Sequence, residues 1–129
     1  MTLSATAAII SALSNLIKAP AHLLPTFGWN EDGARPEIQV DTDGYHFIII
    51  ERGQEIQHTI SSQLEQLLYE VFEGITFSMA CEYELNNRAE SQDHRIIMFA
   101  EQIRLLRQID ETFATRQQIK VDFYLRKLK

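Results

Sequence analysis

Two turn signals bracket one short apolar run and point residues 37–60 to an antiparallel meander. Ile38 and Val40 alternate with Glu37, Gln39 and Asp41, the period of a strand with one wet face. Asp43-Gly44 then supplies hairpin chemistry. Beyond it Tyr45 to Glu51 is rich in β-formers, and the triplet Ile48-Ile49-Ile50 can be buried on both faces of a sheet. A second turn at Arg52-Gly53-Gln54 lets Glu55 to Ile60 return as a third strand. Local hairpins suffice for this topology.

Helical spacing surrounds that core. Leu3, Ile9, Ile10, Leu13, Leu16 and Ile17 share one face, so an amphipathic first helix is expected to end before Pro20. From Ala21 to Pro36 the chain reads as loop, with Pro25, Gly28, Asn30, Asp32, Gly33 and Pro36, and it carries two aromatics, Phe27 and Trp29. Ser62 with Glu65 forms a capping-box pattern ahead of a stripe made by Leu64, Leu67, Leu68, Val71, Phe72, Ile75, Met79 and Tyr83. Gly74 interrupts that stripe at about 1 kcal/mol relative to alanine, which suggests close packing or a bend. The pattern fades at Asn86-Asn87, and Ser91 can cap a second helix that buries Ile96, Phe99, Ile103, Leu106 and Phe113. In the tail, Ile119, Val121, Phe123 and Leu125 alternate like a strand, whereas Val121, Tyr124, Leu125 and Leu128 fit a helix. Helix is favoured because no turn residue precedes it. The expected fold is α+β: a three-stranded antiparallel meander packed against an N-terminal helix and a long C-terminal helical hairpin, in one domain over residues 1–129.

Charge narrows the partner. The net value is −6, distributed as seven acids against three bases in residues 1–60, ten against four in 61–114 and one against five in 115–129. An acidic body repels a phosphate backbone, so nucleic acid is not an expected partner, whereas a basic protein surface is. The N-terminal apolar run is interrupted by Lys18, followed by Pro20, and has no basic lead. It therefore fits neither an export signal nor a membrane span, and a cytoplasmic protein is expected.

Catalytic patterns are missing. His22, His46, His58 and His94 have no metal-site spacing, Cys81 has no neighbouring base to stabilise a thiolate, and no phosphate-binding glycine pattern occurs. No metal, cofactor or enzymatic activity is expected. Glu51 and Arg52 at a strand end, with Glu84, Arg88 and Arg95 around the helical hairpin, form a candidate structural charge network. Glu84 and Arg88 are a favourable i, i+4 pair.

Several stretches resemble one protein family. Leu24 to Gly28 (LPTFG), Asp32 to Pro36 (DGARP), Tyr45-His46-Phe47 with Glu51 to Glu55 (ERGQE), and Leu67-Leu68-Tyr69 with Val71-Phe72-Glu73 carry the first half of the likeness. Phe77 to Ala80 (FSMA) with Tyr83-Glu84-Leu85, and Gln92 to Arg95 (QDHR) with Phe99-Ala100, carry the second. Over residues 24–107 the chain is similar to the immunity proteins numbered sixty-three in bacterial polymorphic toxin systems. The resemblance implies a non-enzymatic protein that protects its producer, in competition between bacteria, by binding a cognate toxin domain. It marks no toxin contacts.

The expected mechanism is docking of an acidic surface that occludes the toxin's active site. A nuclease toxin needs a basic groove to hold phosphate, and an acidic inhibitor would fit it. The candidate partner-binding residues are Trp29, Glu31, Asp32, Glu37, Asp41 and Asp43, because the loop and first hairpin combine an aromatic anchor with acids. The acidic helical hairpin around Glu82 and Glu90 is a rival surface. The alternative function is a structural or regulatory adaptor that self-associates through apolar surface on the N-terminal helix.

Overall fold

The computed structural model describes residues 2–88, 90–91 and 93–127; Gln92 and the tail residue Leu128 lie outside them. In chain order the elements are helix α1 (Leu3–Leu16), a 3-10 turn (Ala21–Leu23), and strands β1 (Thr26–Phe27), β2 (Glu37–Asp41), β3 (Gly44–Glu51) and β4 (Gln54–Ser61). Helices α2 (Leu64–Asn86), α3 (His94–Ile109) and α4 (Glu111–Lys127) follow. Backbone contacts divide the chain into two compact units, residues 1–72 and 73–129, and α2 continues across the boundary.

In the first unit, Thr2 caps α1 by accepting from the Ala5 N–H at 3.1 Å. The helix ends in a Schellman motif: Lys18 takes a left-handed φ of 55° and the Ala19 N–H reaches the Ser14 carbonyl at 3.0 Å, just before Pro20. Its buried stripe is Thr6, Ile10, Ser14 and Ile17, while Leu16 is exposed. The two polar members can be buried because each hydroxyl donates to the carbonyl four residues earlier, Thr6 to Thr2 and Ser14 to Ile10.

The sheet corrects the three-stranded expectation. Its order is β1-β2-β3-β4, and β1 pairs parallel with β2, Thr26 opposite Glu37 and Phe27 opposite Ile38. Strands β2, β3 and β4 form the anticipated antiparallel meander. Gly44 opens β3 at φ 131°, where an added Cβ would sit 2.5 Å from the Ser61 carbonyl oxygen, so only glycine fits. Arg52 and Gly53 both have positive φ, 54° and 74°, as a two-residue primed hairpin turn requires. One irregularity follows: Ile50 faces Glu55 but Ile49 faces Gln57, leaving Ile56 as an extra residue in β4. Ile38, Phe47 and Ile48 are buried, and Gln57 donates to Glu70 at 2.7 Å, tying β4 to the first turns of α2.

Helix α2 begins at Leu64, so Gln63 rather than Ser62 precedes it. It continues through Gly74, where an added Cβ would meet nothing within 4 Å, so close packing does not account for that glycine. In the second unit the expected long helix is two. Asp110, at φ −162° and ψ 125°, ends α3 and its carboxylate accepts from the Thr112 N–H at 2.8 Å to cap α4. The helical hairpin is thus three helices, and the tail is helical. Asp93, not Ser91, caps α3 through the Arg95 N–H. Ile75, Ala80, Met98, Ile103, Leu105, Leu106, Phe113, Ala114 and Val121 are buried in this unit. Buried Gln117 donates to Gln102, which donates to the Glu73 carbonyl, both at 3.1 Å, and Lys120 pairs with the Glu73 carboxylate. Among the described residues no helix is long and apolar enough to cross a membrane.

Replacing Gly74 by alanine is predicted to stabilise the protein by about 1 kcal/mol, since the helix interior gains propensity and no neighbour is displaced. Urea unfolding measures this, and a loss of stability would contradict it. The Arg95 guanidinium holds the Asp93 carboxyl at about 2, against an ordinary 3.8. A carboxyl depressed on folding contributes stability that is complete above 3.8 and disappears as pH falls towards 2. The Asp93→Asn variant retains a capping side chain, so its unfolding midpoint should fall less steeply across that window than the parent's. Equal slopes would contradict the assignment.

Candidate partner-binding site

Residues 28–36 form a loop held from several sides. Gly28, Asp32 and Ala34 all have positive φ. These conformations persist because the backbone is tied down: Thr26 Oγ1 donates to the Trp29 carbonyl and the Asp32 N–H to the Asn30 side chain. Across the sheet end, the Gly53 N–H donates to Asp32 Oδ1 at 2.7 Å and the Ala34 N–H to the Ile50 carbonyl at 3.0 Å. Arg35 braces the other side, donating to the Leu24 carbonyl at 2.7 Å, the Ala21 carbonyl at 3.2 Å and Glu31 at 3.0 Å. Trp29 stands 55% exposed on this braced loop, so little ordering would remain to be done when a partner covers it.

The six candidate contacts do not form one patch. Trp29, Glu31 and Asp32 lie beyond the start of β2, next to the β3–β4 turn through the Asp32–Gly53 bond. Asp41 and Asp43 are exposed at the other end of β2, roughly 13 Å along a five-residue strand. Glu37 is corrected: it is 7% exposed, and its carboxylate accepts from Asn30 at 3.3 Å and from Gln39. A side chain so engaged is part of the loop's support and offers no free charge to a partner.

Between those ends runs a chain of side chains that sequence spacing did not reveal. Asp41 Oδ1 lies 2.7 Å from His46 Nε2, His46 Nδ1 lies 2.8 Å from His58 Nε2, and His58 Nδ1 lies 3.0 Å from Glu55 Oε1. Carboxylates only accept, so each outer contact needs an N–H, and the central contact needs one more. A zinc ion would hold two ligating nitrogens about 3.3 Å apart, wider than the 2.8 Å His–His contact, so the gap suits a direct hydrogen bond between the two rings. Among the described residues no group of three or more His, Cys, Asp and Glu could hold a metal ion. The His46 hydrogen bond, with help from the Asp43 N–H, keeps the Asp41 carboxyl below the ordinary carboxylate range.

The charge-network residues divide. Arg88 grips Glu84 with two bonds, 3.0 and 2.6 Å, lowering the carboxyl of Glu84 below its ordinary range. Arg95 does the same to Asp93, at 3.1 and 2.7 Å, instead of joining Glu84. Glu51 and Arg52 lie at the β3–β4 turn. Burial pushes the Cys81 thiol up, and Glu84 adds to it, so the group is kept as a thiol. A cleft of about 340 Å³ in the second unit is lined by Tyr83, Ile96, Ile97, Ala100, Glu101 and Arg104. Its one carboxylate, Glu101, pairs with Arg104 at 2.7 Å, and an acid/base couple would need a second.

The family model described as Immunity protein 63 matches residues 41–122, more than half of the chain. No curated protein and no solved structure matches it. The matched span starts later and ends later than the stretches of resemblance. It leaves out Trp29, Glu31, Asp32 and Glu37 and takes in Asp41, Asp43, the whole of β3 and β4, and α4 as far as Asp122.

The His46 contact is open to direct measurement. A carboxyl depressed on folding contributes stability present above its ordinary value of 3.8 and lost as pH falls through the folded value. In a carbon-13 titration Asp41 should therefore ionise below 3.8, and His46→Phe should move it upward. An unmoved titration would show that His46 does not hold the carboxylate.

Proposed function

The chain belongs to the immunity protein 63 family, and we propose that it is the immunity protein of a polymorphic toxin system. In this reading it binds a cognate bacterial toxin domain in the producer's cytoplasm and neutralises it, without catalysis, by covering the toxin's active site. The observation that carries the reading is the partition of charge. Residues 1–72 contain nine Asp and Glu against three Lys and Arg, and residues 73–129 contain nine against nine. The whole net charge of −6 therefore belongs to the sheet unit. Within the second unit Glu73, Glu84, Asp93, Glu101 and Glu111 are each paired with a Lys or Arg. The neutrality of that unit as a whole makes the helical surface around Glu82 and Glu90 the weaker candidate for the docking face.

A sheet unit of this charge attracts a basic toxin surface and speeds encounter. For a nuclease toxin that surface is the phosphate-binding groove itself, and covering it blocks substrate. Trp29 supplies a rigid aromatic anchor at one end of the sheet, with Glu31 and Asp32 beside it, and Asp41 and Asp43 supply charge at the other.

Expressing the toxin domain encoded immediately upstream, with and without this protein, tests the function. Growth is expected only with the immunity protein present, together with a stable one-to-one complex. Combining Trp29→Ala with Asp43→Lys should weaken the complex by about 2 kcal/mol or more, whereas Glu82→Lys with Glu90→Lys should leave it within about 0.5 kcal/mol. The opposite pattern would move the docking face to the helices.

A further inference from the structure

Strand β4 is the outermost strand on its side of the sheet. The opposite edge, β1, is only two residues long. Of the eight residues of β4 only Ser61 is buried, and Ile56 and Ile60 stand 57% and 51% exposed. Long edges template the addition of further strands, and proteins usually blunt them with lysine, proline or a bulge. β4 has no lysine or proline. Its bulge is confined to Ile56, and Gln57 to Ser61 pair in unbroken register with Ile49 to Tyr45.

The surrounding charge defines what such an edge would accept. Residues 41–72, where the sheet unit overlaps the family match, carry six Asp and Glu against Arg52 alone. Asp32 binds the Gly53 N–H at the start of β4, next to Glu51, and Glu55 lies on the strand itself. At its far end Gly44, which follows Asp41 and Asp43, sits against the Ser61 carbonyl. The acids that were split between two ends of β2 therefore flank both ends of β4. A second copy paired edge to edge would bring these acids together, which like charges oppose.

We propose that the toxin partner docks by adding a basic, extended segment to β4 as a fifth strand of the sheet. This rests on the toxin-binding reading above and gives that reading a geometry. Main-chain hydrogen bonds along Gln57 to Ile60 supply affinity, an apolar side chain covers Ile60, and Lys or Arg side chains reach the acids at the two ends.

Hydrogen exchange on the full chain, alone and in complex with the upstream-encoded toxin domain, tests this together with the affinity of an Ile56→Lys, Ile60→Lys variant. Amides of residues 57–60 should exchange at least tenfold more slowly in the complex. The variant, altered only at exposed positions, should bind at least tenfold more weakly, while Ile119→Lys on α4 binds as the parent does. A toxin domain that is neither bound nor neutralised would overturn the toxin-binding reading and the added strand with it. Binding and protection with unprotected β4 amides and full affinity in the lysine variant would overturn strand addition alone. A dimer in the absence of toxin, with β4 already protected, would replace the partner strand by a second copy of this chain.

Discussion

One extra residue in β4 decides what the polar face of the sheet can be. The Arg52-Gly53 turn alone would set Glu51 opposite Gln54, Ile50 opposite Glu55, Ile48 opposite Gln57 and Phe47 opposite His58. Side chains alternate with period two, so His58 would then share a face with Phe47 and point away from His46. Inserting Ile56 shifts the later pairs by one, to Ile48 opposite His58 and His46 opposite Ile60. His46 and His58 come onto one face, and Glu55, opposite Ile50, joins them there. The carboxylate–imidazole–imidazole–carboxylate chain is a consequence of that register, as is the regular, exposed stretch of β4 beyond it.

Charge follows the fold more closely than it follows the chain. Counted along the sequence, the acidic excess is greatest at residues 61–114 and the basic excess lies in the last fifteen. Folding brings α4 to the other helices of its unit, where Lys120 meets Glu73 and Gln117 meets Gln102. The helical unit is thereby neutral, and the sheet unit keeps nine acids with three cations. Of those cations Arg35 is committed to Glu31 and to two loop carbonyls, and Lys18 closes α1. An acidic stretch of sequence is therefore a poor guide to an acidic surface unless its folded neighbours are known.

The meander and the helices were legible because their signals are local: period-two alternation, turn glycines and helical stripes. The departures came from non-local or single-residue effects. β1 is two residues that pair with β2 across a loop, too short to show any period. The bulge at Ile56 leaves no compositional mark. Asp110 breaks the last helical run without glycine or proline, although an aspartate ahead of Glu111 and Thr112 is a recognisable cap. Glu37 has the alternation of a wet face, yet Asn30 and Gln39 enclose its carboxylate. Of the candidate site residues, Trp29, Asp41 and Asp43 are exposed, as a partner-contacting role requires, whereas the pairing of His46 with His58 required the register.

In the proposed inhibitor, binding energy and encounter rate would come from a preformed, acidic sheet unit, while a charge-balanced helical unit forms the rest of the chain. Long-range attraction between opposite charges is screened by salt, with a Debye length of about 10 Å at 0.1 M. The most direct test is the association rate constant of this protein with its toxin domain as a function of ionic strength. The account predicts a rate that falls about tenfold or more between roughly 10 mM and 500 mM salt while dissociation changes little. An association rate independent of salt would contradict it.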